Sequence, residues 1–422
     1  MTATTPATTP ASTPASDLLG YWALDPGVTY LNHGAFGACP WPVLRAQDEW
    51  RTRMERQPIR FHDVELEGHL AHARGRLAEF LHADQADLAF VPNATTGVNT
   101  ILASLDFEPG DEILTTDHEY NACLNAARRV AGKHGAKVVV ASLPFPATSP
   151  EEMATALLDR VTPRTRLVLV SHVTSPTGLV LPVERVVAEL AQRGIDTLID
   201  GAHAPGMLAL DLAALGAAYY TGNCHKWLCA PKGAGFLHVR RDRQAQIHPL
   251  VTSHGANSPR ADESLFRLEF DWTGTSDPTA YLSIPAALDF MSGLAPAGWP
   301  EVIGRNHELV LVGRQKLLAV VGGSPLAPES MLGSLAAIEL PDTVRPSPIA
   351  PDSASDPRST YPLDPLRDAL SDADSIEVPV FAWPHTPADA APRRRLLRIS
   401  AQLYNSPGDY DRLAAALSAR LS

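Results

Sequence analysis

A chain of 422 residues is longer than a single hydrophobic core usually grows, so two or three packed units are expected. Hydrophobic residues at 45% and charged residues at 19% argue against a largely disordered chain, and a formal net charge of -12 opposes nucleic acid as a partner. No apolar stretch approaches the roughly 18 residues of a membrane span, and no Lys or Arg precedes Arg45 to begin a secretory signal, so the expectation is a cytoplasmic protein with no membrane partner.

Residues 1–16 contain only Met, Thr, Ala, Pro and Ser and are expected to form a disordered tail. From Pro42 onward Val43, Ala46, Trp50 and Met54 share one helical face, and a second helix is expected over Glu65 to Leu81. Short apolar, β-branched runs then follow at Leu88 to Val91, Glu112 to Thr115, Lys137 to Ala141, Arg166 to Ser171, Asp196 to Ile199, Ala217 to Tyr220 and Ala234 to Val239. Helical segments fit the gaps after the first five runs. Such alternation means βαβ crossovers and a mostly parallel sheet covered on both faces. The last two runs lie closer together, which leaves the seventh strand open to an antiparallel course.

The expected fold is therefore α/β. A large domain over residues 17–295 carries the seven-stranded sheet, and a smaller C-terminal α/β domain covers 296–422. The smaller unit is expected to pair strands at Leu335 to Leu340, Ile376 to Phe381 and Leu396 to Ser400, to contain a Pro- and Ser-rich loop from Pro341 to Pro365, and to end in a helix over Tyr410 to Leu421. The cysteines Cys39, Cys123, Cys224 and Cys229 lack paired CxxC spacing and read as buried thiols, so no metal is expected.

Chemistry concentrates at the predicted strand ends. Asp200, in Ile199-Asp200-Gly201-Ala202-His203, ends a parallel strand, where open α/β sheets place their ligands. Lys226, in Asn223-Cys224-His225-Lys226-Trp227, follows another strand end. A carboxylate there can hold a pyridine nitrogen protonated, and a lysine can form a Schiff base and carry protons. Singly, the aspartate also reads as a helix cap and the lysine as a surface residue. Val91-Pro92-Asn93-Ala94-Thr95-Thr96-Gly97 leads a strand into a helix, so free N–H groups with the Thr95 and Thr96 hydroxyls can converge on an anion; an ordinary capping loop reads the same way. Asn223 and His225 can add contacts to that anion. His118, in Thr116-Asp117-His118-Glu119-Tyr120-Asn121, can stack on a ring or remain a solvated helix-start histidine. Ser175 and His203 can each reach a phenolic oxygen, although turn chemistry alone also explains Ser175-Pro176-Thr177-Gly178.

Together with Leu31-Asn32-His33-Gly34-Ala35-Phe36-Gly37 and Arg398-Ile399-Ser400, these segments resemble fold type I enzymes of the class V aminotransferase family, which use pyridoxal 5'-phosphate (PLP), and within it the isopenicillin N epimerase-like group. The resemblance covers about residues 20 to 420. It implies Lys226 as the Schiff-base lysine, Asp200 as the partner of the pyridine nitrogen, His118 as the stacking ring, and Thr95, Thr96, Asn223 and His225 as phosphate ligands. It further implies Ser175 and His203 near the phenolic oxygen, and Asn32, His33 and Arg398 around an amino-acid substrate, with Arg398 on its carboxylate. Asp271-Trp272-Thr273-Gly274-Thr275 resembles a segment that reaches the neighbouring subunit's phosphate, which implies a homodimer with Thr275 in a shared site. Desulfurase chemistry needs a cysteine on a C-terminal loop, whereas the last cysteine is Cys229. An α-proton epimerase or racemase is the leading expectation, followed by a β-eliminating carbon-sulfur lyase; transamination and non-catalytic PLP binding are the remaining alternatives. Arg56-Gln57-Pro58 speaks for the lyase, and His33, Tyr120 and Tyr404 are candidates for the second base an epimerase needs.

Overall fold

The computed structural model describes residues 18–344, 364–384 and 394–421. The expected tail at 1–16 and most of the Pro- and Ser-rich stretch lie outside the described residues.

The first strand, β1 (Thr29–Tyr30), is followed by the helices Trp41–Arg56 and Leu66–Leu81, the second entered through a π turn at Phe61–Glu65. The central sheet comprises β2 (Leu88–Val91), β3 (Glu112–Thr116), β4 (Lys137–Ala141), β5 (Thr165–Ser171), β6 (Asp196–Gly201), β7 (Tyr219–Asn223) and β8 (Gly235–Val239), in the order β2-β8-β7-β6-β5-β3-β4. β3 to β7 pair in parallel, and β8 runs antiparallel to both β7 and β2.

Alternation along β5 shows why the sheet is covered on both faces. Leu167 and Leu169 enter one buried cluster with Val98 and Ile101 of the helix Ala94–Ser104 and Ala127 of the helix Asn121–His134. Val168 and Val170 enter the opposite cluster with Leu157 of the helix Pro150–Leu158 and Val186 of the helix Val183–Gln192. A one-residue slip would exchange the two sets, and each buried leucine or valine contributes about 1.5–3 kcal/mol to holding the register.

The C-terminal unit holds β9 (Leu335–Glu339), β10 (Ile376–Glu377), β11 (Val380–Trp383) and β12 (Arg394–Ser400), with β12 antiparallel between β11 and β9. The single strand expected over Ile376 to Phe381 is in fact two. Pro379 has no N–H to offer a ladder, and the chain divides around it. Ile376 and Glu377 pair in parallel with β1, while Val380 onward joins β12, so the N-terminal segment is stitched to the C-terminal unit. The last helix runs Pro407–Ser418, earlier than expected, because Ser406 and Asp409 form a capping box at its start. The long helix Trp299–Val321 packs against it at Gly313, where a Cβ would lie 2.5 Å from the Tyr410 ring. Among the described residues no helix is long and apolar enough to cross a membrane.

Candidate active site

A cavity of about 890 Å³ opens where β6 and β7 end, and the start of the helix Ala94–Ser104, the turn after β3 and the C-terminal unit enclose it. Asp200, almost at the end of β6, is buried. Its Oδ1 accepts from the Ala202 N–H at 2.9 Å and its Oδ2 from the Cys123 S–H at 3.2 Å.

A second buried carboxyl, Glu119, lines the same cavity. Its Oε1 accepts from the Ser171 hydroxyl at 2.9 Å and the Tyr120 N–H at 2.8 Å, whereas Oε2 is buried without a partner. Burial, and then the Asp200 charge, push Glu119 up to about 8. Burial raises Asp200 as well, but donation from Ala202 and Cys123 and the Lys226 charge oppose it. Two adjacent carboxylates cannot both ionise cheaply, so Glu119 keeps its proton and Asp200 carries the charge. The ligand atoms of Glu119, Cys123 and Asp200 lie within 4.8 Å of one another, a spacing open to a metal ion. Burial and the two carboxylates hold the Cys123 thiol protonated and donating to Asp200, so we read the group as a proton-sharing cluster.

Lys226 lies in the loop between β7 and β8, with Nζ 3.1 Å from His203 Nε2. Burial, and then Arg398, lower it to about 7. The Trp227 indole N–H faces His203 Nδ1 at 3.4 Å. An indole nitrogen only donates, so a neutral His203 carries its proton on Nε2 and presents it to Lys226. The amine that accepts this proton is the free base, the nucleophilic form of lysine.

The anion cradle forms at the start of the helix Ala94–Ser104. Asn93 caps it, Oδ1 accepting from the Thr96 N–H at 2.9 Å and its hydroxyl at 3.1 Å. Asn223 Oδ1 accepts from the Ala94 N–H at 2.8 Å, tying the helix to the end of β7. At Gly97 a Cβ would lie 2.1 Å from Thr221 Oγ1, so only glycine allows this approach. Thr95, Asn223, His225, Lys232 and Gly233 line the cradle. With a helix N-terminus for a phosphate, Asp200 for a pyridine nitrogen and a free-base lysine between them, these residues fit the PLP that the resemblance implies.

Arg398, on β12, closes the opposite end. It is buried, donates through Nη1 to the Ser175 carbonyl and hydroxyl and through Nη2 to Asn32 Oδ1, and leaves Nε unpartnered. Burial lowers it to about 10, and the hydroxyls of Tyr30 and Tyr120 favour its charged form.

Four expected residues stand elsewhere. His118 is fully buried outside the cavity lining, with Nδ1 2.7 Å from Thr177 Oγ1 and its ring 4.6 Å from that of Trp383. The turn after β3 aims His118 into this aromatic contact and presents Tyr120 to the cavity instead. His33 is also buried outside the lining: Nδ1 meets the Tyr404 hydroxyl at 2.9 Å and Nε2 the Lys226 carbonyl at 3.0 Å, so the ring braces the lysine loop rather than a substrate. Thr96 is held by the Asn93 cap outside the lining, and Thr275 is exposed, away from its own chain's cavity. Glu119 was missed by sequence reasoning. It stands in the turn before the helix Asn121–His134, where no periodicity shows which side chain turns inward.

A parallel-sheet α/β protein with a buried lysine, a strand-end carboxylate and a helix-capped anion cradle is the class that fold and site define. The aminotransferase class-V family model matches residues 29–319, and the chain belongs to that family. It is 38% identical over 409 residues to an isopenicillin N epimerase of Amycolatopsis lactamdurans, covering 94% of this chain and 96% of that protein. It is 30% identical over 417 residues to a probable chloroplastic L-cysteine desulfhydrase of Arabidopsis thaliana, covering 93% of this chain and 83% of that one. In fold it matches a solved C-DES mutant with glycine linked to its PLP cofactor, at a TM-score of 0.74 and 23% identity over 96% of this chain and 99% of that one.

Proposed function

We propose that this PLP-dependent enzyme epimerises the α-carbon of an amino acid or amino-acid derivative, as the name of its Amycolatopsis relative indicates for that protein. The observation that carries the reading is a single cavity holding a buried lysine beside His203, a strand-end carboxylate and a buried arginine. Bound PLP supplies a conjugated sink for the electron pair left when an α-proton departs.

The chain's own residues do the rest. Lys226 would hold the cofactor through its amino nitrogen, and Asp200, ionised beside a protonated Glu119, would keep the ring nitrogen protonated. Thr95, Asn223 and His225 would hold the phosphate. Arg398 would exchange its bonds to Ser175 and Asn32 for the substrate carboxylate, whose geometry its planar fork matches. Lys226, once released, would take the α-proton. We further propose a homodimer in which Thr275 completes the partner's site. Its exposure, with Phe36 71% and Ile59 76% exposed, leaves apolar surface for a second copy.

The test is incubation of the holoenzyme with a panel of L-amino acids and S-conjugates in deuterated water. Loss of optical purity with α-deuteration and without pyruvate is the expected result. The second reading, a β-eliminating carbon-sulfur lyase, is favoured by the desulfhydrase relative and by Arg56-Gln57-Pro58. Pyruvate and ammonia from cysteine-like substrates, with no racemisation, would replace the first reading with it.

A further inference from the structure

A proton shared between a carboxyl and a pyridine nitrogen rests on the stronger base of the two. For Asp200 to hold a ring nitrogen protonated it must therefore stay the weaker base, yet its burial favours a proton on the carboxyl itself. Groups that stabilise the charge must offset that burial. Lys226 helps only while it is protonated, and its surroundings lower it to about 7. Glu119 does not donate to Asp200: its Oε1 accepts from Ser171 and the Tyr120 N–H, and its Oε2 has no partner. Tyr220, on the neighbouring strand β7, has its hydroxyl 2.9 Å from His172 Nδ1. What remains is the Ala202 N–H on Oδ1 at 2.9 Å and the Cys123 S–H on Oδ2 at 3.2 Å. The first is backbone, available from almost any residue at that position. The second belongs to a side chain.

Cys123 sits in the first turn of the helix Asn121–His134, fully buried in an apolar cluster with Val98, Ala127 and Leu198. A cysteine in such surroundings ordinarily serves as a small hydrophobe. Cys39 and Cys229 behave that way, reaching backbone carbonyls only at 3.9 and 3.8 Å. The Cys123 sulfur is much closer to its acceptor, and that acceptor is a carboxylate. An S–H is a weak donor in water, but a charged acceptor and a low local dielectric both strengthen it. Alanine or valine would satisfy the apolar cluster and leave Oδ2 without this donor.

We propose that Cys123 is a positioning residue for the cofactor: by donating its S–H to Asp200 Oδ2 it keeps Asp200 ionised, and so keeps the shared proton on the ring nitrogen. This rests on Asp200 as the partner of that nitrogen. Cys123 itself does not line the cavity, so it acts on the cofactor through the carboxylate. The role is the same for α-epimerisation and β-elimination, since both draw on a protonated ring as the electron sink.

The test titrates the apo-protein with PLP and with its carbocyclic analogue, in which a C–H replaces the ring nitrogen. Every contact except that of the nitrogen is common to the two ligands, so the ratio of their affinities isolates the bond to Asp200. Wild type is expected to prefer PLP. Cys123→Ala should lower that preference about tenfold, the worth of a hydrogen bond to a charged group, while affinity for the analogue stays within about threefold. Cys123→Val, which fills the space without a donor, should match Cys123→Ala. Cys123→Ser, which keeps a donor, should hold the preference within about threefold of wild type. The NMR shift of the isotope-labelled ring nitrogen, read on each holoenzyme at neutral pH, locates the proton directly: a pyridinium in wild type and Cys123→Ser, displaced toward a pyridine in Cys123→Ala and Cys123→Val. An equal loss of both ligands in the two donor-free variants would make Cys123 a packing residue and overturn the proposal, as would an undiminished preference with an unmoved resonance. A wild type that binds PLP and the analogue equally well removes Asp200 as the ring-nitrogen partner, and the inference with it.

Discussion

The floor of the cavity comes from one sheet and its roof from segments far apart in the chain. Asp200 and the residues leading to Lys226 sit on the neighbouring strands β6 and β7, paired in register from Leu198–Tyr219 to Gly201–Gly222. The roof joins Arg398 to Ser175 across 223 residues and to Asn32 across 366, partly through side-chain bonds as long as 3.4 Å. Backbone ladders fix the floor, and β12 is laddered too, but the Arg398 guanidinium is held by polar contacts that a carboxylate can replace. The floor is thus suited to holding a permanent cofactor, and the roof to a group that comes and goes.

Breaking the floor should therefore be all or nothing. Lys226→Ala is expected to lower turnover by at least about 10⁴-fold and to abolish the borohydride-fixed label on this residue, while PLP still binds through the cradle. Peptide mapping after reduction checks this. Label found on Lys232, which also lines the cavity and donates to the Gly37 carbonyl, would move the cofactor's attachment.

Breaking the roof should be graded. Arg398→Ala is expected to cost about 2–5 kcal/mol in transition-state binding, or roughly 30- to several-thousand-fold in kcat/KM, with cofactor absorbance unchanged. Steady-state kinetics on each accepted substrate measure it. Unaltered kinetics would show that the carboxylate is held elsewhere and that floor and roof do not divide the work this way.

The same division governed what the sequence could reveal. The large sheet was legible because alternation along β5 and the turn signals between strands are local, and Asp200 and Lys226 stand at strand ends that local pattern locates. His118 and Tyr120 are two residues apart in a turn, where no periodicity says which ring faces inward; long-range partners of His118, Trp383 from β11, Phe145 and Thr177, decide it. His33 looked like a substrate residue because its segment does reach the cavity through Asn32, but one position on the ring turns to Tyr404. The split at Pro379 depended on β1, more than three hundred residues earlier, offering Ile376 a partner.

Glu119 sharpens the comparison within the floor itself, because its effect should appear as stability against pH. Its carboxyl is raised from 4.5 to about 8, chiefly by burial, so the folded state holds a proton that the unfolded state has released between those values. A group raised in this way contributes stability that is fully present below the unfolded value and is lost as pH climbs through the folded one. Glu119→Gln imitates the protonated acid at every pH. In the cofactor-stripped protein the variant should therefore gain on wild type from about pH 5 to about pH 8, by up to about 1.4 kcal/mol per pH unit, and then level off. Urea midpoints at several pH values measure the slope. A difference that stays flat across that window would show that Glu119 is ionised in the fold and that the site's extra proton rests on Asp200, reversing the roles of the two carboxyls.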